Sequence, residues 1–116
     1  MKGLKEKLYE KIEQHRPRVT RLLKEHGDTV VNEVTVQELD QMLKDGKDIQ
    51  LVDVRTEFEH HIANLGGKII PLEEIVNHVE EIDREKPVIM YCKVGIRSTE
   101  AILHLQNIYN FTNLYN

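Results

Sequence analysis

The sequence predicts an α/β domain: a five-stranded, mostly parallel sheet with helices on both faces, preceded by a helical N-terminal extension. Three observations predict it. Short runs rich in Val, Ile and Leu alternate with stretches of helical period. The run Val88-Ile89-Met90-Tyr91 has no polar side, the pattern of a strand covered on both faces. Turn formers, among them Gly46, Gly66-Gly67 and Pro87, fall between the periodic stretches.

Taken in order, residues 2–26 read as one charged helix. Leu4, Leu8, Ile12, His15, Val19 and Leu22 form a narrow stripe, Pro17 kinks or restarts it, and Gly27 stops it. The main domain begins near Val30. Val34 to Val36 reads as a short entry strand. Thr35 with Glu38 forms a capping box opening a helix through Leu39, Met42 and Leu43 that stops at Gly46. Ile49 to Val54 is a strand, Glu57 to Ile62 a short helix and Lys68 to Pro71 a strand. Leu72, Ile75, Val76, Val79 and Ile82 share one face of a helix. Val88 to Tyr91 is the most buried strand. Ser98 to Leu105 is a helix, and Phe111 to Tyr115 a last strand.

Composition narrows the function. A chain of 116 residues, 40% hydrophobic and 31% charged, suits one domain with a proper core. A net charge of -4 provides no general attraction to nucleic acid or to anionic membrane. No apolar run approaches the roughly 18 residues of a membrane helix, and the charged N-terminus lacks a signal-peptide core, so a reducing cytoplasmic location is expected. The single cysteine cannot form an internal disulfide. The six histidines show no metal-ligand spacing, and no metal or cofactor is assigned.

Parallel sheets bind ligands beyond the carboxyl ends of their strands, and Cys92 lies at such an end. The segment Cys92-Lys93-Val94-Gly95-Ile96-Arg97-Ser98 joins strand to helix. A helix start near Ser98 turns free N–H groups back on the loop, and Gly95 allows successive amides to form an anion nest. Lys93 and Arg97 add positive charge. All of these favour a thiolate, the reactive form of cysteine, so Cys92 is the candidate nucleophile.

The loop resembles the active-site loop of the rhodanese family of sulfurtransferases. Leu51-Val52-Asp53-Val54-Arg55-Thr56-Glu57-Phe58-Glu59-His60-His61-Ile62 resembles the family's second marker, a strand ending in Asp-Val-Arg, a short acidic helix and a His-Ile pair. The resemblance runs from about Val34 to Asn116, with residues 1–29 as a helical extension and 30–116 as the rhodanese-like domain. Ile62-Ala63-Asn64-Leu65-Gly66-Gly67 resembles in particular the rhodanese domain fused to ubiquitin-like-protein adenylyltransferases. Glu13 to Thr20 and Lys24 to Val30 resemble the N-terminal helical segment of eukaryotic-type citrate synthases. That part carries no catalytic motif and is read as a docking element for a protein partner.

The resemblance implies a rhodanese-fold sulfurtransferase. Cys92 would carry sulfane sulfur from a donor such as thiosulfate, or from a protein persulfide, to a thiol or cyanide-like acceptor. Lys93, Val94, Gly95, Ile96, Arg97 and Ser98 would bind the substrate, with Asp53 and Arg55 bracing the loop. Glu59 reads as surface charge and His61 as the family's structural helix-end His. Two rivals stand beside this reading: an interaction module on the same fold in which Cys92 is incidental, and an arsenate or phosphate enzyme. Related phosphatases have five residues between Cys and Arg; here there are four, Lys93, Val94, Gly95 and Ile96. The smaller ring suits one sulfur atom better than a phosphoryl group.

Overall fold

The computed structural model describes residues 3–14, 31–93 and 95–116. Among them, four strands form one parallel sheet: β1 (Gln50–Asp53), β2 (Lys68–Ile69), β3 (Val88–Tyr91) and β4 (Leu114–Tyr115), in the order β2-β1-β3-β4. The helices are α1 (Leu4–Gln14), α2 (Val36–Lys44), α3 (Glu57–Ile62) and α4 (Ile96–Tyr109). β3 is central and all its residues are buried, as its unbroken apolar run predicts.

Side-chain alternation along the strands divides the core in two. Val52 of β1 and Val54 just after it, Val88 and Met90 of β3 and Leu114 of β4 pack with Ile102, Leu105 and Ala101 of α4. Leu51, Ile89, Tyr91 and Tyr115 point to the other face, where Leu8 of α1 and Leu39 of α2 meet them. The extension therefore contributes at least its first turns to the covering of the sheet, with Leu8 6% exposed. The remainder of the predicted 2–26 helix, including Pro17 and the stop at Gly27, lies outside the described residues, as does most of the segment likened to citrate synthases.

Several elements differ from expectation. Four strands replace five because Val34 to Val36 is not a strand. The capping box at Thr35 forms as predicted, with the Glu38 N–H donating to Thr35 Oγ1 at 3.0 Å and the Thr35 N–H to Glu38 Oε1 at 3.1 Å. Val36 is thereby drawn into α2. What remains of the edge is a single bridge, Asn32 with Tyr115, plus the Val34 N–H bonded to Asn116 O. The helix expected over Leu72 to Ile82 is two 3-10 turns, Leu72–Asn77 and Val79–Glu81, interrupted at His78 (φ -127, ψ 23). Ile75 and Ile82 are buried and Leu72 and Val79 half-buried. Steps of three from 72 to 75 and from 79 to 82 line one face of a 3-10 turn as well as one face of an α-helix. Phe111 packs in the core without joining β4.

The Gly66-Gly67 turn delivers the chain into β2. Both residues have positive φ, 92° and 84°. A Cβ on Gly67 would fall inside the contact radius of Leu51 O in β1, whereas one on Gly66 would meet nothing. Gly66→Ala should therefore cost only the left-handed backbone penalty, about 1 kcal/mol, and Gly67→Ala more than about 2 kcal/mol because the β1–β2 pairing must shift as well. Urea unfolding of the two variants checks the order; equal losses would contradict it.

Candidate active site

Parallel pairing sets the position of the site. Asp53 lies opposite Tyr91 in the β1–β3 register, so the carboxyl ends of both strands finish side by side. The next residue after Tyr91 is Cys92, 1% exposed. Gly95 follows with φ 89 and serves as the N-cap of α4. The helix thus starts at Ile96, two residues before the expected Ser98, and Ser98 falls in its first turn. The Gly95 N–H donates to Cys92 Sγ at 3.0 Å and the Ser98 N–H at 3.4 Å. Two amides left free by the helix start therefore converge on one sulfur and stabilise negative charge there. Val94 lies outside the described residues. Lys93 is exposed and Ile96 half-buried.

A polar network fixes the loop from behind. The Thr99 hydroxyl donates to Gly95 O at 2.7 Å and accepts from Asn116 Nδ2 at 2.8 Å. That orients the Asn116 amide, whose Oδ1 takes the Ser98 hydroxyl proton at 2.6 Å. Ser98 Oγ lies 3.4 Å from Sγ, and either atom can be the donor between them. On the α1–α2 side, a cavity of about 40 Å³ lined mainly by apolar groups, including Ile12, Leu39, Leu65 and Tyr91, reaches Cys92 and Gly95.

Asp53 and Arg55 form a buried ion pair below the loop. Asp53 is fully buried, and Arg55 Nε and Nη2 reach its two oxygens at 2.9 and 2.7 Å. The Arg55 N–H adds a bond at 2.9 Å, and His60 Nδ1 lies 2.8 Å from Oδ2. Burial opposes ionisation of Asp53, but the bonds from Arg55 and His60 outweigh it and hold the carboxyl below its ordinary range. Arg55 also donates to Ala63 O at 2.5 Å and stands 5.5 Å from the Tyr91 ring centre. The Tyr91 hydroxyl accepts from the Leu65 N–H at 3.0 Å and donates to Gly66 O at 3.2 Å. Burial pushes that phenol upward. His60, not His61, is the histidine engaged here; His61 is exposed.

Glu59 is the residue that sequence reasoning missed. Rather than a free surface charge, it receives both Arg97 terminal nitrogens at 2.8 Å each. It also closes a capping box with Thr56, its own N–H donating to Thr56 Oγ1 at 3.2 Å. The Thr-x-x-Glu spacing of Thr56 and Glu59 was the available signal for the cap, but nothing local signals Arg97. A cation in the first turn of α4 opposes the helix dipole and calls for an anion; Glu59 is that anion.

The family model described as Rhodanese-like domain matches residues 35–116. The chain belongs to the rhodanese-like domain family. A protein named sulfurtransferase from Allochromatium vinosum is 34% identical over 77 residues, covering 66% of this chain and 72% of that protein. The thiosulfate sulfurtransferase GlpE of Coxiella burnetii is 37% identical over 62 residues, covering 51% of this chain and 56% of that protein, so the match spans about half of its length. The solved rhodanese-like domain protein of Staphylococcus aureus superposes with a TM-score of 0.66 at 26% identity, covering 74% of this chain and 83% of that one. In this rhodanese-like domain, no helix among the described residues is long and apolar enough to cross a membrane.

The ion pairs predict the acid response. The Arg97 bonds hold Glu59 at about 2, below its ordinary 4.5. A depressed carboxylate contributes stability that is full above the unfolded value and is lost as pH falls through the folded one. Glu59→Gln should therefore flatten the stability–pH curve between about 4.5 and about 2 and leave its slope near neutrality unchanged, as read by thermal melting across that range. Arg55→Ala should be far more costly, about 3 to 5 kcal/mol, because it strands a buried charge; denaturant unfolding measures it.

Proposed function

We propose that this rhodanese-like domain is a sulfurtransferase that carries sulfane sulfur as a persulfide on Cys92. The observation that carries the reading is the pair of N–H groups, from Gly95 and Ser98, aimed at Sγ at the carboxyl end of the central strand. Such donors stabilise an anionic sulfur before and after transfer. The family membership and the sulfurtransferase names of its relatives support the same class of reaction.

In the first step the Cys92 thiolate attacks the terminal sulfur of a donor such as thiosulfate. A Sγ–S bond forms, the donor's S–S bond breaks, and its electron pair leaves on sulfite. In the second step a thiophilic acceptor, cyanide in an assay or a thiol in the cell, attacks the outer sulfur and the pair returns to Sγ. No cofactor enters. Lys93 is the exposed loop charge that meets the donor, Val94 and Ile96 complete the loop, and Asp53 and Arg55 hold its base. A reducing cytoplasm suits a thiol that must stay free. The described part of the extension, residues 3–14, packs on the domain through Leu8, and residues 1–29 as a whole offer a route to a protein partner of the domain of 30–116.

Intact mass spectrometry after incubation with thiosulfate should show the gain of one sulfur atom, removed by reductant and absent in Cys92→Ala. Lys93→Ala should mainly raise KM without moving Tm, since an exposed loop charge contributes little to stability. An unmodified wild-type mass at every donor concentration would leave the interaction-module reading in its place. Turnover of an aryl phosphate instead would favour the phosphate enzyme.

A further inference from the structure

One of the two cations of the loop is already occupied. Arg97 gives two parallel N–H bonds to Glu59, both 2.8 Å, the strongest geometry available to a guanidinium and a carboxylate. Arg97 lies within electrostatic reach of Cys92, and of Glu73 as well. The cap at Thr56 uses Glu59 Oε1 alone, so Oε2 is committed to Arg97 and the cap does not account for it. Among the described residues, Lys93 is left as the exposed loop cation without an ion-pair partner.

We propose that Glu59 is a specificity-determining residue: by neutralising Arg97 beside the Cys92 loop, it disfavours dianionic sulfur donors and leaves the site suited to donors with one negative charge or none, the class of persulfides and thiosulfonates. This rests on the sulfurtransferase reading above. The physical basis is that the energy of a donor in the field of a fixed carboxylate scales with the donor's charge. Thiosulfate, with two charges, is penalised twice as much in energy as a thiosulfonate with one. Methanethiosulfonate therefore isolates the effect. It offers the same terminal sulfur, Sγ–S bond formation breaks its S–S bond, and the electron pair departs on methanesulfinate instead of sulfite.

The test compares kcat/KM for thiosulfate and methanethiosulfonate in wild type, Glu59→Gln and Glu59→Asp. Glutamine removes the charge and still completes the cap at Thr56; aspartate keeps the charge. Glu59→Gln should raise kcat/KM by about threefold for methanethiosulfonate and about tenfold for thiosulfate, roughly the square, and both gains should shrink at high salt. The thiosulfate-to-methanethiosulfonate ratio thus rises about threefold, while Glu59→Asp keeps the wild-type ratio. A ratio unchanged or lowered in Glu59→Gln overturns the proposal while sulfur transfer itself stands. A Glu59→Asp ratio that moves as far as that of Glu59→Gln also overturns it, since geometry rather than charge would then be responsible. Absence of sulfur loading of Cys92 by either donor in all three proteins overturns the sulfurtransferase reading and this proposal with it.

Discussion

A carboxylate with no access to water must have its charge answered from within, and Asp53 is such a carboxylate. Its compensation directs the chain for the next dozen residues. Arg55 turns back to reach both oxygens and, through Ala63 O, takes hold of the far end of α3. His60 comes in from the middle of α3 to the same carboxylate. With α3 held at two points, Glu59, one residue before His60, lies where Arg97 meets it. The buried pair is thus less a source of stability, given the cost of desolvating two charges, than a device for orientation. Remove it, and the helix that presents Glu59 loses its anchor to β1.

Local patterns were readable and distant pairings were not. The β3 run, the capping box of Thr35 and Glu38 and the bounds of α3 depend on neighbours a few residues away, and each is written in the order of residue types. Cys92 and the glycine-containing turn after it were readable for the same reason, as a strand-to-helix junction. Glu59 and Arg97 are 38 residues apart, and Asn116 is 18 from Ser98; only the folded sheet brings them together. The choice between adjacent His60 and His61 depends on how α3 is rotated about its axis, which Arg55 and Asp53 decide. The 3-10 turns over Leu72–Asn77 and Val79–Glu81 escaped because apolar steps of three satisfy both periods.

The loop is supported from two directions of the chain. Asn116, just beyond β4, bonds to Ser98 and Thr99 with its side chain, while its carbonyl receives the Val34 N–H ahead of α2. Ser98 in turn holds Sγ through its amide. The segment before the domain's first helix, the last strand and the cysteine loop consequently share one set of hydrogen bonds. A substitution at Asn116 would be felt in both places, although the residue stands outside any motif.

The enclosure of Sγ gives the thiol a time scale of its own. A cysteine that is 1% exposed as a residue meets a bulky reagent only during a fluctuation of the loop around it. When closure is fast compared with capture, the observed rate is the intrinsic rate multiplied by the fraction of molecules open; when capture wins, the rate becomes that of opening and stops depending on reagent concentration. Small and large electrophiles would sample different depths of that fluctuation. Chemical labelling of this single cysteine is therefore a clock for motion in the loop as much as a probe of the sulfur.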